Sequence, residues 1–373
     1  MIIVVADDIT GAAEIAGAAL RYGLRVMLTI GYADIPQTTD VWVIATDTRS
    51  GGESDAVSTV SGIAKRLDKS GNIVFKKTDS VLRGHVVAEV GAIMEVMGFA
   101  EALLLPQNPS RGRIITNGTY YINGTPVDRT PFNYDPEFPI LTSSVENILG
   151  GNVAVLALDE PMPSSTGRIF VADAACRSDI EKQLQKAGND CLFAGGADFF
   201  SVLLGKMYPG VEAEASGNVR IMPQEYSIVV CGSTQSQDIS ERPFARASGT
   251  YTAVMPDEVF GGKPAGGWLS SLAKQYAVHR SIAVAIGGRE NGGPECAVRL
   301  RGIMADAVSV LSEVRRPQLL VIEGGSTAYA IISRLGWRSF RLKCEHAPGV
   351  VGMVHDGTEV VLKPGSYPWG DIL

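Results

Sequence analysis

The chain has 373 residues, of which 45% are hydrophobic and 42 are glycine, and it carries a formal net charge of −7. This length suggests two domains, and this composition is typical of a globular α/β protein with many tight turns. The acidic total and the lack of a long basic run argue against nucleic acid as a partner, because binding to phosphate backbones requires concentrated positive charge.

The N-terminus and the cysteines bear on the cellular compartment. The first residues, "MIIVVADD", have neither the basic start nor the long apolar stretch of a signal peptide, and no window approaches the ~20 apolar residues of a membrane span. The five cysteines are scattered without a CxxC pair, and the four histidines show no metal-ligand spacing. We therefore predict a cytoplasmic protein with reduced thiols and no membrane contact. The sequence does not identify residues that would bind a metal ion.

Apolar, β-branched runs recur along the first half of the chain: IIVVA, RVMLTI, VWVIA, NIVFK, ALLL, VAVLAL and RIFVA. Between them, "TGAAEIAGAALRYG" predicts a helix that begins at the N-cap Thr10 and ends at Gly23, and the segments ESDAVSTVSGIAKRLDK and GHVVAEVGAIMEVMG predict two more. Strands that alternate with helices predict βαβ crossovers and a mainly parallel sheet. Residues 106–140, rich in Pro, Gly and Asn, predict a long loop or a small hairpin.

The apolar periodicity lapses over residues 208–226, where we predict a boundary between an N-terminal domain (1–215) and a C-terminal domain (216–373). A second series of strands follows in YSIVVCGS, TYTAVMP, SIAVAIGG and QLLVIEGGST, with a long helix near residues 294–315 and a tail of short strands. The predicted fold class is α/β, with two α/β domains, mainly parallel sheets and an active site in the cleft between the domains.

Polar clusters follow four successive predicted strands of the first domain. The clusters are ADDITG with Asp7, Asp8 and Thr10; ATDTRSGG with Arg49; KKTDSVLRGH with Lys77, Thr78, Asp79, Ser80, Arg83 and Gly84; and LLLPQNPSRGR with Asn108 and Arg113. Each cluster alone has an ordinary explanation, such as a helix N-cap for Asp7 or Asp8. In open parallel sheets, however, ligands bind outside the carboxyl ends of the strands. Together the clusters predict a site for a small polyhydroxylated anion, because arginine binds carboxylates in bidentate fashion and Asp and Asn bind hydroxyls.

Strands of the second domain end differently, in glycine and small hydroxyl residues: VVCGSTQSQ, AIGGREN and VIEGGSTAYAII. Backbone N–H groups in such turns, together with a helix dipole, bind phosphate. The sequence contains no GxxxxGK[ST], no clean GxGxxG and no GxSxG, which excludes an ordinary P-loop, Rossmann or α/β-hydrolase assignment. A polyol-acid site and a phosphate cradle in separate domains indicate phosphoryl transfer, which requires positioning, charge neutralisation and a base.

Six segments together resemble the four-carbon acid sugar kinase family, formerly a family of unknown function: VADDITGAAEIAG, FKKTDSVLRGH, PSRGRIITNGTYYINGTPV, CGSTQSQ, EGGSTAYAIISRLG and LKPGSYPWGD. The likeness spans nearly the whole chain in the family's order. Members phosphorylate tetronates such as threonate, erythronate or 3-oxo-tetronates with ATP. The resemblance implies an N-terminal sugar-acid domain, a C-terminal nucleotide domain, and ATP and Mg²⁺ as cofactors.

The resemblance also implies roles for matched residues. Asp8, Arg49, Lys77, Asp79, Ser80, Arg83 and Arg113 would line the sugar-acid pocket, and Asp7, Thr10, Thr78, Gly84 and Asn108 belong to the same clusters. Ser233, the turn of Gly324, Gly325, Ser326 and Thr327, and Gly365 would hold ATP. We predict that Asp8 is the catalytic base, with Asp79 as the rival, because a carboxylate at a strand end can accept a hydroxyl proton; either could instead only orient the sugar hydroxyls.

Two alternatives stay open beside the kinase hypothesis. Ser326 occupies a position where many relatives carry an acid, which favours a catalytically inactive sugar-acid-binding protein or sensor, whereas the retained Asp8, Lys77 and Asp79 oppose it. A phosphatase with an aspartate nucleophile is disfavoured, because "DDIT" lacks the DxDx[ST] spacing. The stereochemistry of the acid and a homodimeric assembly are left open, and the helix near residues 294–315 is interpreted as an ordinary amphipathic helix with a solvated basic face.

Overall fold

A computed structural model of the chain describes residues 1–135, 137–150, 153–163, 167–211, 219–222, 224–232, 249–288 and 293–365. The chain divides into two compact units, Met1–Glu214 and Ala215–Leu373. The predicted domain boundary between residues 215 and 216 lies outside the described residues. Among these residues no helix combines the length and the apolar character that crossing a membrane requires.

The first unit is an α/β unit in which eight strands pair, each parallel to its neighbours, in the order β2-β3-β1-β4-β11-β5-β10-β9. These strands are β1 (Ile2–Ala6), β2 (Val26–Ile30), β3 (Val41–Ala45), β4 (Ile73–Lys77), β5 (Glu101–Leu105), β9 (Val153–Leu156), β10 (Arg168–Ala172) and β11 (Cys191–Gly195). The helices are α1 (Ile9–Leu20), α2 (Glu53–Ala64), α3 (Val86–Met97), α4 (Val145–Leu149), α5 (Arg177–Lys186) and α6 (Ala197–Met207). Every residue of β1 and β3 is buried, as expected for a parallel sheet covered on both faces.

The start of α1 differs from the prediction. Its N-cap is Asp8, not Thr10: Asp8 has an extended backbone, and its Oδ1 accepts the N–H of Gly11 at 2.9 Å. Thr10 lies in the first turn, where its hydroxyl donates to Asp8. The sequence offers both residues as N-caps, and Asp is at least as good a cap as Thr, so the extended backbone after β1 decides between them.

The strand β11 has no counterpart among the predicted strands. It lies between β4 and β5 in the sheet. The polar clusters that follow β4 and β5 are therefore separated by one strand instead of following adjacent strands. Gly195 ends the strand with φ +154°, and a Cβ there would lie 2.1 Å from the carbonyl oxygen of Leu105. This close approach requires glycine at the end of a central strand.

Residues 106–140 contain a small antiparallel sheet, in agreement with the predicted hairpin. Its strands are β6 (Arg113–Thr116), β7 (Thr119–Ile122) and β8 (Thr125–Pro126), paired in that order. Tyr120 on β7 is fully buried and packs in the main core of the first unit.

The second unit is also α/β, and its strands pair in the order β13-β14-β12-β15-β18-β17-β16. Pairing is parallel from β13 to β18 and antiparallel through β17 and β16, which form the predicted tail of short strands. The strands are β12 (Ser227–Cys231), β13 (Thr250–Val254), β14 (Ser281–Ala285), β15 (Leu319–Glu323), β16 (Ser339–Ala347), β17 (Val350–His355) and β18 (Thr358–Lys363). The helices are α7 (Asp257–Phe260), α8 (Gly266–His279), α9 (Pro294–Val314) and α10 (Gly325–Leu335).

Candidate active site

In the first unit, the four predicted polar clusters lie at one edge of the sheet, and Leu105 at the end of β5 is level with Lys77 through Gly195 of β11. The strands β3, β1 and β4 are neighbours, and their last residues, Ala45, Ala6 and Lys77, pair in register. The segments that follow these strands therefore leave the sheet at the same level. This register places the ADDITG, ATDTRSGG and KKTDSVLRGH clusters side by side.

Arg49 connects the carboxylates of this edge. Its Nε and Nη2 donate to the two oxygens of Asp7 at 2.7 and 2.9 Å, and Nη2 also donates to Asp8 at 2.7 Å. Its Nη1 lies 3.5 Å from Oδ1 of Asp79. Burial acts to lower the pKa of Arg49, but the negative charges of Asp7, Asp8 and Asp79 outweigh burial and raise that pKa well above its usual value.

Positive charges around Asp7 shift its pKa in the opposite direction. Burial acts to raise the pKa of Asp7, but Arg49, Lys76 and Lys77 outweigh it and hold the pKa below its usual range. Asp7 is only 4% exposed and both of its oxygens accept hydrogen bonds from Arg49. Both oxygens of Asp7 are therefore engaged by Arg49, and Asp7 fixes the position of the arginine side chain.

Asp79 is held even more tightly. Its oxygens accept hydrogen bonds from Nε and Nη2 of Arg83, each at 3.0 Å. Its Oδ2 also accepts hydrogen bonds from the backbone N–H groups of Val81 and Arg83. Burial acts to raise the pKa of Asp79, but Arg49 and Arg83 lower it far below the usual range. The remaining terminal nitrogen of Arg83, Nη1, donates a hydrogen bond to Oδ2 of Asp135 at 2.9 Å.

The two lysines of "KKTDS" point to opposite faces of the sheet, as successive strand residues do. Lys76 forms a buried ion pair with Glu89 of α3 at 2.7 Å, whereas Lys77 lies 3.5 Å from Glu14 of α1. Lys77 also donates to the carbonyl oxygen of Thr78 at 2.9 Å. The side chain of Thr78 is buried, and its Oγ1 has no hydrogen-bond partner within the described part of the chain.

Arg113 differs from the other arginines of this edge. Its Nη1 donates to the neutral hydroxyl of Ser80, and its guanidinium lies over the ring of Phe132, 5.8 Å from the centroid. Among the described residues it forms no ion pair with a carboxylate, whereas Arg49, Arg83 and Arg111 each do. The hydroxyl of buried Tyr120 donates to the backbone carbonyl of Ser80, which fixes the Ser80 backbone, and burial raises the pKa of that tyrosine.

Two glycines allow these groups to approach one another. Gly84 has φ +84°, and a Cβ there would lie 3.0 Å from Cγ of Arg49. A Cβ on Gly11 would lie 2.6 Å from Oδ1 of Asp8 and 3.2 Å from Nζ of Lys77. The side chains of the ADDITG and KKTDS clusters can converge only because neither position carries a side chain.

Asn108 has a scaffold contact. It is 1% exposed, and its Oδ1 accepts a hydrogen bond from the backbone N–H of Asp198 at 3.1 Å, close to the start of α6.

Three residues that the sequence analysis did not select also contact the site: Glu14, Tyr120 and Asp135. Glu14 is recognisable as the one carboxylate of the alanine-rich helix that follows "ADDIT", while Asp135 has no signal beyond its place in the long loop.

The second unit contains a cavity of about 330 Å³ at the ends of β12, β14 and β15. It is lined by Gly232, Ile286, Ala297, Leu300, Arg301, Gly324, Gly325, Ser326, Thr327 and Gly365. The turn of Gly324 to Thr327, predicted as a phosphate cradle, opens α10 with φ +99° at Gly324. A Cβ on Gly232 would lie 2.1 Å from Oγ1 of Thr327, so the end of β12 packs directly against this helix N-terminus.

The described groups of this cavity can bind an anion. The first turn of α10 contains no acidic residue, so its N–H groups and dipole can attract an anion without a competing carboxylate. Ser326 is exposed on that turn. Arg301 of α9 also lines the cavity, so one basic residue of this helix is available to a bound anion. Ser233, a predicted nucleotide-binding residue, lies outside the described residues.

Comparisons with known proteins identify relatives of the chain. A family model described as a sugar-binding N-terminal domain matches residues 2–203. D-threonate kinase of Bordetella bronchiseptica is 26% identical over 96% of this chain and 84% of its own length. 3-oxo-tetronate kinase of Methylobacterium radiotolerans is 25% identical over 98% of this chain and 96% of its own length.

Solved structures share the fold of the whole chain. A Salmonella typhimurium LT2 protein superimposes with a TM-score of 0.79 at 19% identity, covering 100% of this chain and 97% of the other. Haemophilus influenzae protein HI1011 superimposes with a TM-score of 0.76 at 16% identity, covering 99% and 98%. At these identities the likeness concerns the fold, and it agrees with the predicted two-domain α/β class.

Proposed function

Because the chain belongs to the four-carbon acid sugar kinase family, we propose that it transfers a phosphoryl group from ATP to a hydroxyl of a four-carbon sugar acid. Tetronates such as threonate or erythronate and the 3-oxo-tetronates are the substrate class. The names of the D-threonate and 3-oxo-tetronate kinases that resemble the chain support this choice. The observation in this molecule that carries it is Arg113, a guanidinium that faces a hydroxyl and an aromatic ring instead of a carboxylate.

The acid would bind in the first unit. A substrate carboxylate can supply the anionic partner that Arg113 lacks among the described residues, through charge-assisted hydrogen bonds. Asp7, Arg49, Asp79 and Arg83 then act as the fixed charges that hold these groups in place.

Asp8 is the proposed base, and Asp79 is a positioning residue. Asp79 has a strongly lowered pKa and accepts four hydrogen bonds, so it binds a proton poorly. The side chain of Asp8 is 16% exposed against 7% for Asp79, and Asp8 stands at the N-terminus of α1. A carboxylate in this position can accept the proton of the attacking hydroxyl.

ATP would bind in the second unit. The N-terminus of α10 suits a phosphate group, Arg301 adds positive charge, and Ile286, Ala297 and Leu300 provide apolar surface of the kind that packs against a base. Mg²⁺ would supply positive charge that offsets the negative charge of the transferred phosphate. The described residues that line the cavity include no carboxylate, so the oxygens of ATP itself would be the main protein-independent ligands of that ion.

The test is an ADP-release assay with purified protein, Mg-ATP and a panel of D- and L-threonate, D- and L-erythronate and their 3-oxo forms. We expect ADP release that depends on one member of the panel. Stabilisation by a sugar acid without ADP release from any member would instead establish the binding protein or sensor. The five cysteines form no disulfide with one another, which supports a reducing compartment such as the cytoplasm. Light scattering in the same buffer tests for a homodimer.

A further inference from the structure

A cluster of metal-ligand side chains lies outside both proposed substrate sites. Cys344, His346 and Glu359, all in the second unit, place their sulfur, nitrogen and oxygen atoms within 4.8 Å of one another. Cys344 and His346 alternate along β16, and Glu359 lies on β18, two strands away. We propose that these three side chains bind one Zn²⁺ ion, a site that is independent of the kinase activity.

The distance between two of the donors fits zinc. Sγ of Cys344 lies 3.5 Å from Nε2 of His346. A tetrahedral Zn²⁺ with a Zn–S bond of about 2.3 Å and a Zn–N bond of about 2.0 Å requires a sulfur–nitrogen separation of about 3.5 Å. The two ligand atoms already span one edge of the coordination tetrahedron, and water can complete it.

The imidazole of His346 presents the correct nitrogen. Its Nδ1 lies 2.6 Å from the carbonyl oxygen of Val219, and because a carbonyl only accepts, Nδ1 must carry the hydrogen. In neutral histidine Nε2 then has the lone pair, and Nε2 is the nitrogen that faces Cys344. A backbone carbonyl that orients the ring through its other nitrogen is the usual support of a metal-binding histidine.

Gly352 makes room for the ion. It lies on β17, directly opposite Cys344, and its φ is outside the left-handed region, so its backbone does not require glycine. A Cβ there would lie 2.7 Å from Nε2 of His346 and 3.0 Å from Sγ of Cys344. The missing side chain leaves space at the point where the donor atoms converge.

The donor set selects the metal. Thiolate and imidazole suit Zn²⁺ and are poor ligands for Mg²⁺, which distinguishes this site from the nucleotide-associated ion. Glu359 is oriented by Lys343, whose Nζ lies 2.7 Å from Oε2, and its other oxygen can turn toward the ion. When Zn²⁺ binds, the thiol of Cys344 loses its proton to solvent and the resulting thiolate bonds to the ion.

The test is a Co²⁺ titration of the full-length, chelator-treated protein, because Co²⁺ in a zinc site with a cysteine ligand gives a thiolate charge-transfer band. We expect one Co²⁺ per chain, displaced by Zn²⁺. Glu359→Gln, a nearly isosteric change, should weaken Co²⁺ binding by more than about tenfold, since losing even a partner of a ligand costs about 10–100-fold. Gly352→Ala, which retains all three donors, should also weaken binding.

Cysteine variants provide the decisive comparison. Cys344→Ser should remove the charge-transfer band, whereas Cys176→Ser, the same change at an exposed thiol, should leave both band and stoichiometry unchanged. The proposal is overturned if the wild-type protein shows no such band. It is equally overturned if the band survives in Cys344→Ser and disappears in Cys176→Ser, which would mean adventitious binding at the exposed thiol.

Discussion

Arg49 binds Asp7 in bidentate fashion, with Nε 2.7 Å from Oδ2 and Nη2 2.9 Å from Oδ1. The two residues follow different strands, β3 and β1, so this ion pair joins two neighbouring strand ends at the proposed substrate site. Arg49 is a shared partner for three carboxylates, since Asp8 and Asp79 also contact it. Its removal would leave three negative charges close together with little solvent to screen them.

We therefore expect Arg49→Met to lower the free energy of unfolding by about 3 kcal/mol, the cost of leaving one side of a buried ion pair unpaired. Arg25→Met is the matched control. Arg25 also binds an aspartate, Asp40, in bidentate fashion, but its side chain is 65% exposed and solvent screens the pair, so the loss should be much smaller. Urea unfolding of both variants measures the difference, and equal losses would contradict the shared role of Arg49.

Stability should depend on pH through Asp7 and Asp79. Both have folded pKa values below that of an unfolded aspartate, about 3.9, so their stabilisation is complete above that pH and decreases as the pH falls through it. Asp40 acts in the same direction, because hydrogen bonds from Arg25 hold its pKa at about 2. In this range the unfolded state binds more protons, and each group contributes a slope of up to about 1.4 kcal/mol per pH unit.

Urea unfolding at a series of pH values from about 6 to about 3 measures this slope. Asp79→Asn removes one of the contributing groups, so its unfolding free energy should fall less steeply with decreasing pH than that of the wild type. Identical slopes in the two proteins would show that Asp79 does not titrate abnormally.

The two candidate bases can be separated by the same substitution. Asp8→Asn removes the proton acceptor, and we expect kcat to fall by at least about 100-fold with little change in ATP binding. Asp79→Asn instead disturbs Arg49 and Arg83, so KM for the acid should rise more than kcat falls. Steady-state kinetics and ATP titration distinguish these patterns, and full turnover by Asp8→Asn would eliminate it as the base.

Recognition of the acid should depend on Arg113. Arg113→Met removes a charge-assisted contact of about 1.5–3 kcal/mol, so KM for the tetronate should rise about 10–100-fold. The four-carbon polyol that lacks the carboxylate is the matched control ligand. Wild-type protein should prefer the acid to the polyol, and Arg113→Met should lose most of that preference. An unchanged preference would place the carboxylate elsewhere.

The cavity of the second unit can be tested with two glycines. In Gly232→Ala the new Cβ would lie 2.1 Å from Oγ1 of Thr327, which displaces the start of α10 and should weaken ATP binding at least about tenfold. A Cβ on Gly302 of α9 would meet no neighbouring atom of the described residues within 4 Å, so Gly302→Ala should leave ATP affinity unchanged and stabilise the helix by up to about 1 kcal/mol. Calorimetric titration with ATP measures both, and equal affinities would argue against this cavity as the nucleotide site.

The sequence by itself determined the fold class and the edge of the sheet at which the polar clusters lie. Hydrophobic runs predict buried strands because burial of apolar surface dominates folding, and alternation with helices leaves few topologies. The clusters around Asp8, Arg49 and Lys77 are recognisable because each follows such a run. These features are local or periodic, so a single chain reveals them.

Tertiary structure decided which charges meet. Lys76 and Lys77 are adjacent in sequence, yet one pairs with α3 and the other lies beside α1, because successive side chains of a strand point to opposite faces. The position of β11 in the sheet follows from the crossover connections between strands. The contribution of Arg301 to a cavity follows from the packing of α9. Neither feature is encoded in the local pattern of hydrophobic residues. Cys344, His346 and Glu359 converge for the same reason: strand pairing and the space left at Gly352 bring together ligands that no spacing in the sequence indicates.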